Sequence, residues 1–352
     1  MLKSPLQWPG VPFALISAVL FGASIPFSKQ LLRSVDPWLL AGLLYIGSGI
    51  GLSLFLILRT TARQRKAEAS LDRESMPWLT GAVVFGGILG PVFLMLGLSH
   101  TTASAASLLL NLESLATMAI AWALFRENVD RRVFIGAMAI LIGAVVLSWR
   151  GDPTADWGNL AIAAACLCWG IDNNLTRKIS GADPVLIAAV KGLVAGPINL
   201  LLGFLIGAWV PPAALIAGAA GLGLVTYGIS LVFFILALRH LGTARTGAYY
   251  GTAPFIGALL SVGLLNEPLA WQLVIAGGLM AMGVWLHLSE VHEHFHNHPA
   301  LEHEHRHVHD EHHRHEHQAG DPPGEPHLHR HRHAALRHRH AHYPDFHHRH
   351  DH

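Results

Sequence analysis

This chain repeats itself, and the repeat constrains its fold more than any other feature. Phe21-Gly22, Pro26 and Lys29 recur as Trp169-Gly170, Asn174 and Arg177, 148 residues further on. Leu98-Ser99-His100 and Arg126-Glu127-Asn128 recur as Leu238-Arg239-His240 and Asn266-Glu267-Pro268, 140 residues further on. The repeated segments lie in long apolar stretches, and a duplicated set of apolar helices is the mark of a transporter built from two halves. The offsets differ because the first copy carries a polar stretch from Arg59 to Pro77, where the second has a short connection around Pro211-Pro212. Core register is kept while a surface loop changes length.

Ten stretches approach the length needed to cross a bilayer: 11–31, 38–58, 78–98, 102–125, 132–149, 157–176, 184–207, 213–236, 243–264 and 270–288. With 52% hydrophobic and only 13% charged residues overall, most of the charge in the tail and loops, no polar faces exist to clothe these stretches in water. The expected fold is therefore an all-α integral membrane protein of ten transmembrane helices. Residues 11–149 form the first five-helix repeat, 157–288 the second, and 292–352 a separate tail. Five spans per half, an odd number, turn the second repeat upside down relative to the first.

Positive charge sets the orientation. With the N-terminus in the cytoplasm, thirteen Lys or Arg fall in cytoplasmic segments, among them Arg59, Arg63, Arg65, Lys66, Arg131, Arg132, Arg177, Lys178 and Arg239. Only Lys29, Arg33 and Arg150 fall on the other side. This is a positive-inside bias, and an even number of spans then returns the tail to the cytoplasm. Phe13 to Phe21 has the apolar character of a signal-peptide core, but nine further spans favour a retained first helix. Cys166 and Cys168, two apart on a helix, do not face each other, so packing is expected rather than a disulfide or a closed metal site.

Small residues recur where helices must touch: Ser17, Ala18, Gly22 and Ala23, then Gly81, Gly86, Gly87 and Gly90, then Gly277, Gly278 and Gly283. Pro26, Pro91, Pro197 and Pro254 interrupt spans, each removing a backbone donor; such breaks are tolerated where they are buried in protein or line a wet cavity. The intramembrane polar residues are sharper markers. Asn111 and Glu113 lie midway along the fourth span, Asp172, Asn173 and Asn174 toward the end of the sixth, and Lys191 within the seventh. A charge at the bilayer centre costs about 2.5–3.5 kcal/mol on insertion scales, so each must find a partner or a wet path. The signs permit a Glu113–Lys191 or an Asp172–Lys191 pair.

These charges do not belong to the shared scaffold. Ser24 stands where the second copy has Asp172, and Thr252-Ala253 stand where the first has Leu112-Glu113. They are expected to specialise a cavity for substrate or proton binding. Tyr227, Tyr249 and Tyr250 can each offer a ring and a hydroxyl to an amphipathic solute, although successive tyrosines cannot face one cavity, so one of Tyr249 and Tyr250 is expected to pack between helices. Glu127 and Glu267 match between the copies, which suits helix capping or tying a turn rather than chemistry.

The two halves, the Phe21-Gly22 segment with Pro26 and Lys29, the small-residue run Thr102 to Ser107, and the turns at Arg126-Glu127-Asn128 and Asn266-Glu267-Pro268 together resemble the drug/metabolite transporter superfamily, specifically its EamA-type members. The resemblance covers residues 11–289. It implies ten helices, both termini in the cytoplasm, a bacterial inner-membrane location and a central cavity lined by both halves. Substrates in that family run from amino acids and metabolites to drugs.

All but three of the chain's 26 histidines lie beyond residue 291, many alternating: His292, His294, His296, His298, then His303, His305, His307, His309. No apolar periodicity could bury this segment, and disorder is expected. Dense imidazoles bind Zn, Ni, Co or Cu. The tail could therefore buffer or sense a metal, titrate near pH 6.5, or have no part in transport.

The function expected is a secondary transporter that exports a small organic metabolite across the lipid bilayer by alternating access. Protons would couple through Glu113 or Asp172, since desolvation favours a carboxylate's neutral form. No phosphate-binding loop, enzyme-like cluster of acids and bases, nucleic-acid-binding pattern or required cofactor is visible. The alternative is a metal-related transporter or a metal-responsive membrane sensor that uses the tail.

Overall fold

The computed structural model describes residues 10–61, 71, 73–125, 131–149 and 153–288, and in the tail 293–298, 301–307, 327–333 and 336–341. Glu127, His292 and His309 lie outside these residues. The helices are α1 Gly10–Leu31, α2 Pro37–Thr61, α3 Met76–Ala82, α4 Gly90–His100, α5 Ala103–Leu109, α6 Asn111–Phe125, α7 Arg131–Ser148, α8 Pro153–Ile179, α9 Pro184–Leu205, α10 Ala213–Gly223, α11 Ser230–Tyr250, α12 Ala253–Leu265 and α13 Trp271–Leu288. A π-helical turn, Val83–Leu89, joins α3 to α4, and another, Leu224–Ile229, joins α10 to α11. These two turns end 140 residues apart, the same spacing as the sequence repeat.

Eight helical stretches among the described residues are long and apolar enough to cross a membrane: Gly10–Leu31, Pro37–Arg59, Met76–His100, Ala103–Ala123, Pro184–Leu205, Ala213–Leu241, Arg245–Leu265 and Trp271–Leu288. The other two expected spans are helices that fall short for different reasons. The apolar part of α7, Phe134–Ser148, is short. In α8, Asp172, Asn173 and Asn174 dilute an otherwise apolar helix. The surface agrees with a lipid setting: Val145, Leu205 and Leu259 stand exposed, and Trp149, Trp157, Trp209 and Trp271 are exposed at or just beyond helix ends, where interfacial aromatic residues sit.

Local signals begin and tie the helices in matching ways. Asp36 Oδ1 accepts from the Trp38 amide at 2.8 Å, and Asp183 Oδ1 accepts from the Val185 amide at 2.9 Å. Each is followed by a proline at the first helical position, where no amide is needed. Asp183 also binds Arg59, joining the end of α2 to the start of α9. At another bundle end, Lys29 Nζ donates to the Leu98 and Thr101 carbonyls at 2.6 and 2.7 Å. Glu267 does cap a helix, although not the one that follows it. Its two oxygens accept from the Ala103 and Ser104 amides at 2.7 and 2.8 Å, at the start of α5 in the other half.

Counterpart helices of the two halves pack directly on each other. A Cβ on Gly42 would meet Leu200, one on Gly49 would meet the Leu193 amide at 2.5 Å, and one on Gly203 would meet Leu39. As α2 advances, its partner residues on α9 recede, so the two run antiparallel. In the same way Gly136 abuts His287 and Gly143 abuts Met280 and Ala276, so α7 and α13 are also antiparallel. Gly49 and Gly192 are the closest case: a Cβ on Gly192 would come within 2.4 Å of the Gly49 amide, so backbone approach there excludes any side chain. Pro26 and Pro197 lie inside continuous helices, whereas Pro91 and Pro254 sit in the first turns of α4 and α12, just after a π turn and a two-residue break.

The tail differs from expectation. Where composition suggests disorder, four strands occur: β1 Glu293–His298, β2 Leu301–His307, β3 His327–His333 and β4 Leu336–Ala341. β1 pairs antiparallel with β4, and β2 with β3. Alternation of histidine with other residues carries the two-residue period of a strand, which the lack of an apolar periodicity does not reveal.

Candidate functional site

Among the described residues, the interior of the helical bundle holds a buried ion pair. Lys191, on α9, is 1% exposed and its Nζ donates to both Asp172 oxygens at 2.7 Å. Asp172 lies on α8, and its Oδ1 also accepts from the Thr176 hydroxyl, one turn along, at 2.9 Å. Of the two pairings that the signs allow, the structure has Asp172–Lys191. Room for the carboxylate comes from Gly86, since a Cβ there would lie 1.8 Å from Asp172 Oδ2. Gly86 belongs to the first π turn, and its carbonyl accepts from the Tyr45 hydroxyl at 2.6 Å and the Trp169 indole at 3.1 Å. The neighbouring Gly87 carbonyl accepts from the Asn199 amide at 3.0 Å. Side chains from α2, α8 and α9 thus satisfy carbonyls of the wide turn, as a buried backbone irregularity requires.

Glu113 is held differently. Its Oε1 accepts from the Asn173 amide at 3.0 Å, and that amide also donates to the Thr117 hydroxyl at 3.1 Å. No described cation lies within ion-pair distance of it. Glu113 sits in the first turn of α6, just after the break at Leu110, and the α11–α12 break at Gly251-Thr252 occupies the corresponding place in the second half.

Two adjoining cavities meet at this carboxylate. One, with about 450 Å³ of empty space, is lined by Glu113, Asp172, Asn173 and Lys191 together with Thr226, Ser230, Leu231 and a set of aromatic rings. The other, about 410 Å³, is lined by Glu113, Thr117, Asn173, Tyr250 and the helix-break residues Leu110, Gly251, Ala253 and Pro254. Phe21 and Phe234 line both. Phe21 meets Trp169 edge-on at 5.6 Å and also contacts Tyr227 and Tyr250 at 5.8 and 5.6 Å, while Tyr45 lies 5.4 Å from Tyr227. The Tyr227 hydroxyl is buried with no hydrogen-bond partner among the described residues. The arrangement offers an apolar, aromatic enclosure with one neutralised ion pair, one carboxylate on a neutral amide, and spare hydroxyl capacity.

Six of the nine residues singled out within the spans thus line this space: Glu113, Asp172, Asn173, Lys191, Tyr227 and Tyr250. Three do not line it. Asn111 donates to the Leu108 carbonyl at 2.9 Å and approaches Met280 Sδ at 3.7 Å, because a residue two positions before Glu113 points to the far side of its helix. Asn174 ties α8 to α6 through the Gly170 and Thr117 carbonyls at 2.8 and 3.0 Å, about 100° around the helix from Asn173. Tyr249 packs beside Val11, Ala14, Ala237 and Leu241.

Residues not anticipated are Phe21, Tyr45, Trp169 and Phe234. For two of them a signal existed. Phe21 and Trp169 are the aromatic members of the repeated aromatic-glycine pair, and the two copies meet at the cavity wall. Tyr45 and Phe234 carry no such mark. Cys166 and Cys168 are free and buried, with Cys166 Sγ 3.6 Å from the Leu109 carbonyl. No group of three or more His, Cys, Asp or Glu among the described residues could hold a metal ion.

A helical bundle with an exposed apolar surface around an aromatic cavity that holds buried charges defines a polytopic membrane protein. Comparison with known sequences then places it more closely. The model of the EamA-like transporter family matches twice, over residues 8–149 and 156–289, and the chain belongs to that family. It is 28% identical over 289 residues to an uncharacterized transporter of Methanothermobacter thermautotrophicus, covering 77% of this chain and 84% of that protein. It is 21% identical over 289 residues to the uncharacterized inner membrane transporter YedA of Escherichia coli K12, covering 79% and 89%. A protein of known crystal structure superposes with a TM-score of 0.62 at 20% identity, over 80% of this chain and 99% of that one, which bears on the fold alone.

Proposed function

We propose that this protein is a secondary transporter of the bacterial inner membrane that exports small organic metabolites by alternating access. Its ten spans would form two inverted five-helix halves with both termini in the cytoplasm. The inversion is supported by the two family matches in one chain and by the antiparallel packing of counterpart helices α2 with α9 and α7 with α13. The observation that carries the reading is the cavity, which draws Phe21, Tyr45 and Glu113 from the first half and Trp169, Asp172, Lys191, Tyr227 and Tyr250 from the second. A solute bound there would touch both moving parts. Glu113, held only by a neutral amide, is the proton-coupling group: it can lose or gain a proton without breaking an ion pair.

Flux in proteoliposomes with and without a pH gradient tests this. Glu113→Gln should abolish the effect of the gradient while the protein stays folded; an unchanged gradient effect would remove Glu113 from coupling.

One observation favours a second, metal-responsive reading. In the tail's strand register His303 opposes His331, His305 opposes His329 and His307 opposes His327, and in the other ladder His294 opposes His340 and His296 opposes His338. Imidazoles at this density are ligands for such metals. In that reading Zn, Ni, Co or Cu on the tail changes the transport rate, and metal titration of transport by the full-length chain checks it.

A further inference from the structure

We propose that the cavity takes a monocationic amine with an aromatic or similarly flat apolar body, with Glu113 as its countercharge. This names a substrate class for the transporter reading and rests on it. Charge balance is the first step. Asp172 and Lys191 cancel through two contacts of 2.7 Å, so the pair brings no net charge to the cavity wall. The remaining described lining is neutral except for Glu113, whose side-chain partner is an amide. With Glu113 ionised, the space carries one uncompensated negative charge.

That charge discriminates among ligands. An anion meets like charge there, and like-charge juxtaposition at a binding surface costs several kcal/mol. A zwitterion brings a carboxylate that needs a cation, and Lys191, the one cation in the described lining, already engages both oxygens of Asp172. A monocation restores neutrality.

The walls fit the same ligand. Phe21, Trp169, Tyr227 and Tyr250 surround the carboxylate's side of the cavity, and aromatic faces attract a cation while packing on a flat apolar body. The Tyr227 hydroxyl, in a residue 5% exposed and without a hydrogen-bond partner among the described residues, adds an unengaged oxygen dipole to this wall. A bare metal cation does not fit, because the lining offers no cluster of ligating side chains.

The test is equilibrium binding to the full chain in lipid nanodiscs, with four probes that share a phenylethyl body: phenethyltrimethylammonium, phenylalanine, 3-phenylpropionate and 2-phenylethanol. The permanent cation should bind at least about tenfold more tightly than each of the others, a difference of about 1.4 kcal/mol. In Glu113→Gln that preference should collapse to within about twofold of the alcohol, whose own retained binding reports an intact fold. If Glu113→Gln binds nothing, Glu113→Asp decides: it should keep the preference for the cation. Equal or tighter binding of the anion or zwitterion by the native protein overturns the proposal, as does an undiminished cation preference in Glu113→Gln or its loss in Glu113→Asp. Counterflow of the labelled cation in proteoliposomes separates the two levels: binding without movement removes the transporter reading and leaves the charge preference standing.

Discussion

Replacing Lys191 with methionine should destabilise the protein far more than replacing both members of its ion pair. Methionine keeps most of the stem's volume, so packing on α9 changes little. The Asp172 carboxylate, however, keeps only the Thr176 hydroxyl at 2.9 Å and loses two charge-assisted bonds of 2.7 Å. Breaking a buried pair from one side costs about 3–5 kcal/mol, because the other charge stays behind without compensation. The near-complete burial of both partners places this pair with those cases and not with exposed pairs, which are worth about 0–1 kcal/mol. Lys191→Met is therefore expected to lose about 3 kcal/mol or more, and Asp172→Asn a similar amount for the stranded ammonium. The double variant should recover at least about 2 kcal/mol relative to the sum of the singles. Denaturant unfolding in mild detergent, read from tryptophan fluorescence over the full double-mutant cycle, measures these values. Additive singles that each cost under about 1 kcal/mol would refute the claim that the pair is buried and coupled.

Gly86→Ala places a methyl group where Asp172 Oδ2 lies, so it should weaken the same pair, and it should be much milder in a background where Asp172 is already alanine; comparison of the two unfolding midpoints checks this. Gly192→Leu, by forcing apart α2 and α9 at their closest approach, should lower stability by several kcal/mol and yield poorly inserted protein, seen as loss of monodisperse material in size-exclusion chromatography. Glu267→Ala leaves the Ala103 and Ser104 amides unmet and should cost about 1–2 kcal/mol, whereas Glu267→Asp should show a smaller loss in the same unfolding assay. Tyr250→Phe should change solute affinity in nanodisc binding, while Tyr249→Phe, outside the cavity, should leave it within about twofold. Removing residues 292–352 should preserve solute flux and sharply reduce Ni binding, measured on immobilised-metal resin and by calorimetry.

The repeat, the apolar stretches and the charge bias make the membrane bundle legible in one dimension, because a bilayer forces spans of nearly fixed length and helical backbone within them. The same property makes every intramembrane charge conspicuous, and that is why Glu113, Asp172 and Lys191 stand out before any fold is known. Which charge meets which is a different matter. Asp172 and Lys191 lie on consecutive helices, and only their packing over Gly86 brings them to 2.7 Å, while Glu113 is left to Asn173. Neighbours along a helix diverge by about 100° per residue, so the tertiary arrangement divides Asn173 from Asn174 and Tyr250 from Tyr249, sending one of each pair to the cavity and the other to packing. The first π turn also emerges only in three dimensions, since its Gly86 and Gly87 carbonyls are met by donors from Tyr45, Trp169 and Asn199 on other helices. Sequence thus determines that this chain is a membrane-spanning helical protein with Glu113, Asp172 and Lys191 set within its apolar stretches. Tertiary structure decides that two of them cancel and that the third faces an aromatic cavity, because charge compensation depends on distances between helices that no local spacing encodes.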